Sequence, residues 1–140
     1  WRAEASSLEE LAEGDARLPI ADPAIAPAGR YAREALTSLG LWAKLKPRLI
    51  LAHDVRAALG YVETGNVMAG IVYRTDAVVA EGIQIVASVP GESHSPITYP
   101  AAVSARTRHM ASARRFVAFL TGEEAKETFR EYGFIPLRGE

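Results

Sequence analysis

The chain has 140 residues, of which 49% are hydrophobic and 24% charged, and its formal net charge is −1. This length suits one domain of ordinary globular composition, and the near-neutral charge offers no basic surface for nucleic acid. The absence of cysteine excludes disulfides, thiolate metal sites and cysteine nucleophiles, and no apolar run reaches the roughly 18 residues that span a membrane. The chain starts at Trp1 rather than Met, which indicates an internal fragment, so a missing signal peptide says nothing about secretion.

The first half of the chain alternates predicted helices and strands. Apolar residues at helical spacing, with capping residues before them and glycine after them, predict helices at Ser6–Gly14, Ala28–Leu39 and Val55–Thr64. Short apolar runs predict strands at Leu18–Ala21, Arg48–Ala52 and Met68–Tyr73.

The second half continues the alternation. A brief helix capped by Thr75 or Asp76 is predicted to end at Ala80, and strands are predicted at Ile83–Val89 and Ile97–Ala105 around a polar loop at Pro90–Pro96. Helices at Met110–Leu120 and Glu123–Tyr132 finish the chain. The alternation predicts an α/β fold with a mostly parallel sheet flanked by helices.

The start of the helix at Ala28 has the features of an anion site. The preceding strand breaks at Asp22-Pro23, and Pro27 suits the first helical turn because its missing N–H has no partner there. The N–H groups of Ala28 and Gly29 are then expected to be free, with little side chain in the way and a positive helix end behind them. The alternative is an ordinary strand–loop–helix connection that binds nothing.

Two further donors follow predicted strands. Val55 begins a helix after the second strand, and Tyr73 ends the third. Ligands of open α/β sheets bind outside the carboxyl ends of the strands, so we expect Ala28, Val55 and Tyr73 to form one small pocket of donors. Such a pocket suits dianions that carry no proton, such as molybdate, tungstate or sulfate. For Tyr73 the alternative is a buried tyrosine whose hydroxyl reaches a neighbouring carbonyl.

Other polar residues affect this site or offer competing chemistry. Asp54 would repel a dianion unless its carboxylate faces the N–H groups of Arg56 and Ala57 as a helix cap. His53, His94 and His109 have no metal-ligand spacing. The stretch Glu92–Ser95 contains nucleophile and base types but no nucleophile elbow, and it leaves a hydrolase using Ser93, Ser95 or His94 as an alternative that an ester-hydrolysis assay decides.

Five segments in order resemble the periplasmic molybdate-binding proteins of ABC importers, which are extracellular solute-binding proteins. They are Asp22–Ala32, Asp54–Leu59, Ala69–Ala77, Val89–Val103 and Tyr132–Phe134. The resemblance implies a type II periplasmic-binding-protein-like lobe, an extracytoplasmic location, a membrane permease as partner, no cofactor and no enzyme activity. It implies that Ala28, Val55 and Tyr73 contact the oxygens of molybdate or tungstate and reach the metal only through these oxygens.

The resemblance also implies how the chain is divided. Residues 1–100 correspond to the second lobe of a two-lobed protein, and residues 101–140 to a segment that crosses back to the first lobe. The family's amino-terminal serine donors have no counterpart, so we expect this chain alone to bind molybdate weakly or not at all. Without the first lobe, apolar side chains on the last helices should be exposed and drive self-association or a swapped dimer; they are Phe116, Phe119, Leu120 and Phe129.

Two alternatives to a molybdate carrier stay open. One is an effector-sensing oxyanion-binding domain of a regulator. A helix-turn-helix segment with a basic face would favour this alternative, and the sequence shows no such segment. The other is sulfate as the ligand, since it is smaller than molybdate but has the same charge and shape. Molybdate and tungstate have nearly the same size and charge, so the residue pattern does not separate them.

Overall fold

The computed structural model describes residues 7–137, so the predicted boundaries at Trp1, Ser6 and Glu140 lie outside the described residues. The chain divides into two compact units, Trp1–Pro96 and Ile97–Glu140. No described helix is both long and apolar enough to cross a membrane.

Most of the regular structure lies in the first unit. Its elements are α1 (Leu8–Glu13), β1 (Leu18–Ala21), α2 (Pro27–Ser38), α3 (Trp42–Leu45), a 3₁₀ turn (Lys46–Arg48), β2 (Leu49–Ala52), α4 (Val55–Glu63), α5 (Arg74–Ala77) and a second 3₁₀ turn (Gly91–Ser93). The second unit contains α6 (Met110–Leu120) and α7 (Glu123–Glu131). The helices predicted at α1, α2, α4, α6 and α7 are confirmed to within one or two residues, α5 differs from its prediction, and no helix was predicted at α3.

β1 and β2 form a parallel two-stranded sheet. The register pairs Leu18 with Leu49 at one end and Ala21 with Ala52 at the other. Every residue of β1 is buried. Helices flank this sheet, so the predicted α/β class is confirmed.

The predicted strand at Met68–Tyr73 is wrong, although part of it lies beside β1. The Ile71 N–H donates to the Pro19 carbonyl oxygen at 3.0 Å. A parallel pair needs a second bond from the residue that accepts the first, and Pro19 has no N–H to donate. Pro19 therefore cannot complete a pair with Gly70, and the bond from Ile71 is the described backbone hydrogen bond between this segment and β1. Gly70 permits the approach, since a Cβ there would lie 3.0 Å from Pro19 Cγ.

The predicted strands at Ile83–Val89 and Ile97–Ala105 are also wrong, because neither segment has regular structure. An apolar run forms a strand only when a neighbouring strand completes its backbone bonds and covers its side chains. Ile85 is 40% exposed and Tyr99 is 62% exposed. Part of the apolar surface that predicted these strands is therefore left uncovered, although Val89 packs against the core.

The helix after Tyr73 also differs from the prediction. α5 begins at Arg74 with Tyr73 as its N-cap and ends at Ala77. The predicted caps, Thr75 and Asp76, lie inside it. The Asp76 carboxylate is not used as a cap because it pairs with Arg56 of α4 at 3.2 Å.

The core of the first unit joins α1 to the sheet and to the helices that follow. Its buried members are Leu8, Leu11, Ala12, Leu18, Leu36 and Leu45. Leu45 is fully buried, and Trp42 packs against the cluster. Burial of this apolar face, rather than intrinsic propensity, stabilises a helix as short as α1.

In the second unit, the apolar residues predicted to be exposed divide into two pairs. Phe116 and Phe119 on α6 are 60% and 47% exposed, as predicted, and their rings stack on each other. Leu120 and Phe129 are half-buried, so their predicted exposure is wrong in extent. Phe129 is covered by the Phe134 ring, whose centroid lies 6.0 Å away.

Candidate functional site

The carboxyl ends of β1 and β2 lie at one edge of the sheet. Ala21 is paired with Ala52 in the parallel register, and the Asp22 N–H continues the ladder to the Ala52 carbonyl oxygen at 2.7 Å. α2 begins at Pro27 and α4 at Val55, each after one of these strand ends. Two helix amino termini are therefore attached to the edge at which ligands bind in α/β folds.

Asp22 organises the loop between β1 and α2. Its carboxylate accepts the Ala24 N–H at 2.8 Å, and its carbonyl oxygen accepts the Ala26 N–H at 2.9 Å. The Gly29 N–H donates to the Ala26 carbonyl oxygen at 3.1 Å, so the expectation that it is free is wrong. The Ala28 N–H has no acceptor among the described residues. Ala28 is the second residue of α2, and the N–H groups of the first helical turn have no partner within the helix.

Gly29 lets α2 approach the end of β1 closely. A Cβ at this position would lie 2.1 Å from the Ala21 carbonyl oxygen and 2.6 Å from the Asp22 carbonyl carbon. Both neighbours are backbone atoms, which cannot move aside as a flexible side chain can. The absence of a side chain at Gly29 therefore fixes where the Ala28 amide lies relative to the strand edge.

Asp54 caps α4 as the sequence predicts. Its Oδ1 accepts the Ala57 N–H at 2.8 Å, while Oδ2 lies 3.3 Å from His53 Nδ1. The hydrogen bond from Ala57, followed by that from His53, lowers the pKa of Asp54. The carboxylate is thus directed to its own helix, and the Val55 N–H has no acceptor among the described residues.

Tyr73 lies half-buried at the start of α5, where its carbonyl oxygen accepts the N–H groups of Asp76 and Ala77, both at 3.1 Å. The ion pair between Arg56 Nε and Asp76 Oδ1 attaches α5 to the first turn of α4. The structure therefore brings the Tyr73 segment next to the helix that begins with Val55.

The acidic groups at this edge are each bound to donors. The carboxylates of Asp22, Asp54 and Asp76 accept from Ala24, Ala57 and Arg56 respectively. Their partners reduce the repulsion that a bound dianion would meet. Within residues 7–137, no group of three His, Asp or Glu side chains is placed to hold a metal ion.

Sequence reasoning did not find the pair Arg56 and Asp76. These residues lie on different helices, and no local pattern links them. The close approach of α2 to the end of β1 had one signal in the sequence, which is the lack of a side chain at Gly29. Contacts between elements are set by the fold, so a periodicity or capping pattern does not report them.

The polar groups of the loop that suggested a hydrolase make hydrogen bonds within the loop and to α2. The buried Ser93 hydroxyl donates to the Pro90 carbonyl oxygen at 2.6 Å, and His94 Nδ1 lies 2.8 Å from the Ser95 carbonyl oxygen. The Ser95 N–H donates to Glu34 Oε2 on α2 at 2.8 Å. No hydrogen bond joins a serine hydroxyl to His94 in this described loop, so the arrangement has no nucleophile–base pair.

Replacing Glu34 with glutamine should reduce the loss of stability that occurs as the pH falls into the acid range. The hydrogen bond from Ser95, with smaller contributions from the charges of His94 and Arg30, lowers the pKa of Glu34. A lowered pKa adds stability above the ordinary pKa of glutamate, and this stability is lost as the pH falls through the lowered value. We expect E34Q to melt slightly below wild type at neutral pH, since interactions of an exposed carboxylate contribute little, and at the same temperature in strong acid.

The matched control for E34Q is E63Q, which changes an exposed glutamate at the end of α4 that makes no described hydrogen bond. In thermal melts followed by circular dichroism, E63Q should have the same melting temperature as wild type at every pH. A constant difference between E34Q and wild type at every pH would contradict the assigned role of the Glu34 charge.

The sequence matches the bacterial extracellular solute-binding protein family over residues 2–135. It is 45% identical over 118 residues to the molybdate-binding protein ModA of Escherichia coli, covering 84% of this chain and 46% of that protein. It is 43% identical over 129 residues to YvgL of Bacillus subtilis, named as an ABC transporter substrate-binding lipoprotein, covering 92% of this chain and 49% of the relative. The chain therefore spans about half the length of these curated relatives.

A solved structure supports the same relationship. The substrate-binding domain assigned to a molybdenum ABC transporter of Clostridium difficile superposes with a TM-score of 0.85 at 34% sequence identity, covering 97% of this chain and 60% of that one. A family match over nearly the whole chain and a shared fold lead to one conclusion: the chain belongs to the bacterial extracellular solute-binding protein family.

Proposed function

We propose that this chain supplies an oxyanion-binding lobe of a solute-binding protein that captures molybdate or tungstate for an ABC importer. The observation that carries the proposal is the pair of amides at Ala28 and Val55. Each is without an acceptor in the described chain, and each lies in the first turn of a helix that follows the carboxyl end of a paired strand. The 45% identity to a relative named as a molybdate-binding protein supports the choice of ligand.

The chemistry of these donors favours a dianion that carries no proton. Orphan N–H groups at the starts of α2 and α4 combine with the positive ends of both helix dipoles. We assign the Tyr73 hydroxyl as the third donor. A protonated phosphate also needs an acceptor, whereas the Ala28 and Val55 amides offer donors alone. Molybdate and tungstate present acceptors alone, and sulfate is the smaller competitor.

The proposed role is delivery rather than catalysis. The protein would act outside the cytoplasm and hand its oxyanion to a membrane permease, without a cofactor. Residues 1–100 would form the second lobe and residues 101–140 the segment that returns to the first lobe. Because the remaining donors would come from the first lobe, we expect weak binding by this chain alone, and the test must detect weak binding.

Replacing Val55 with proline should reduce molybdate binding with little effect on folding. Val55 is the first residue of α4, where proline fits because its missing N–H has no intrahelical partner. Asp54 is already extended, with φ −151 and ψ 179, as a residue before proline must be. In titrations of the isotope-labelled chain followed by nuclear magnetic resonance, molybdate should shift the Ala28 and Val55 amides of wild type, and V55P should bind about tenfold more weakly.

The matched control is E123P, which places proline at the first position of α7, again after an extended residue, Gly122. It removes an amide outside the site and should leave molybdate binding unchanged. Tungstate should act like molybdate, sulfate more weakly and phosphate least. Shifts confined to residues away from Ala28 and Val55, or equal binding by V55P and wild type, would contradict the proposed site.

A further inference from the structure

One ion pair connects two of the elements that carry the proposed donors. Arg56 Nε lies 3.2 Å from Asp76 Oδ1, between the first turn of α4 and the short helix α5. The Asp76 side chain is 15% exposed, whereas that of Arg56 is 67% exposed. A carboxylate as covered as Asp76 gains more from a charged partner than a surface residue does, because less water is available to solvate it.

The position of Tyr73 depends on α5. The Tyr73 carbonyl oxygen accepts the N–H groups of Asp76 and Ala77, so the backbone of Tyr73 moves with this helix. The residues just before Tyr73 have no regular structure, and the bond from Ile71 to Pro19 is the described backbone link between 69–73 and β1. Arg56 follows Val55 directly, so the ion pair ties the Tyr73 segment to the residue next to a proposed donor.

We propose that Arg56 and Asp76 are a positioning pair that fixes Tyr73 relative to the Val55 amide and so sets the affinity for the oxyanion. This inference rests on the function proposed above. Neither side chain is required to touch the ligand. The pair acts by holding two donors, which lie on separate elements, at one spacing.

An electrostatic role for the pair would have a different signature. If charge alone mattered, losing Arg56 would weaken binding of a dianion, and losing Asp76 would strengthen it by removing a repulsion. If the pair positions Tyr73, losing either partner weakens binding. The two single variants R56Q and D76N therefore separate the two roles by the sign of one effect.

The experiment is a double-mutant cycle on the whole chain, with molybdate as the probe. Titrations followed by the Val55 amide signal should show about tenfold weaker binding for R56Q and for D76N, and no further loss in the double variant, because both changes break one interaction. R56K, which keeps the charge at the pair, should recover part of the affinity. The Tyr73 ring signals should shift in R56Q before any ligand is added, which a general loss of stability would not produce.

The matched control is the exposed pair of Lys44 and Glu13, which joins α3 to α1 in the same unit. K44Q and E13Q should bind molybdate as wild type does. Tighter binding by D76N, or affinities of R56Q and D76N within twofold of wild type, would overturn the positioning role while leaving the proposed function intact. If wild type itself shows no molybdate-dependent shift at Ala28 and Val55, the proposed function and this inference are both wrong.

Discussion

Replacing Gly29 with alanine is expected to destabilise the first unit by about 3 kcal/mol, at the upper end of the usual cost of overpacking. The added Cβ would lie 2.1 Å from the Ala21 carbonyl oxygen and 2.6 Å from Pro23 N. Relief requires α2 to move away from the end of β1, because the obstructing atoms are backbone. We expect a melting temperature lower by roughly 10–20 °C and loss of the molybdate-dependent shift at the Ala28 amide.

Gly60 on α4 provides the matched control for Gly29. A Cβ at Gly60 would meet no atom within 4 Å, so the same substitution adds no clash. Because alanine favours the helix, G60A should stabilise the protein by about 0.5–1 kcal/mol. If G29A melts as wild type does, the close approach of α2 to β1 is wrong, and with it the placement of the Ala28 amide.

The second large effect is expected from replacing Arg48 with alanine. The Arg48 guanidinium donates to four carbonyl oxygens at and beyond the end of α1, those of Leu11, Ala12, Gly14 and Ala16. Helix carboxyl ends leave carbonyls without partners and attract positive charge. Hydrogen bonds to a charged group contribute more than neutral ones, so R48A should cost about 2–3 kcal/mol of unfolding free energy, measured by urea denaturation.

Two variants define the origin of the Arg48 effect. R48K keeps the charge but replaces the planar fork of donors by one ammonium group, so it should recover less than half of the lost stability. K46A, at an exposed neighbour in the same 3₁₀ turn, should change stability by less than about 0.5 kcal/mol. Equal stabilities of R48K and wild type would show that charge, and not the set of four bonds, accounts for the contribution of Arg48.

The helices were predictable because their signals are local. Asp54 accepts from a residue three positions later, and Gly40, Gly65 and Gly133 end helices with positive φ values of 71°, 70° and 83°. Such caps join residues that lie within one helical turn of each other, so both partners can be recognised in a short stretch of sequence. The same holds for the Ala28 and Val55 amides, whose lack of an acceptor follows from being near the start of a helix.

The strands were predictable only in part because a strand needs a partner. β1 and β2 pair along their whole length, whereas the run at Met68–Tyr73 meets Pro19, which cannot return a hydrogen bond. The periodicity of an apolar run reports which face could be buried. It does not report whether a second strand is there to cover that face.

The sequence by itself determined most helix boundaries to within one or two residues, the parallel pairing expected of an α/β chain, and the lack of an acceptor at the Ala28 and Val55 amides. The tertiary structure alone decided that Gly29 packs against the end of β1 and that Arg56 pairs with Asp76. The physical reason is range. Capping and helical spacing act between residues a few positions apart, whereas steric fit and ion pairs between elements depend on which distant residues the folded chain brings within contact distance.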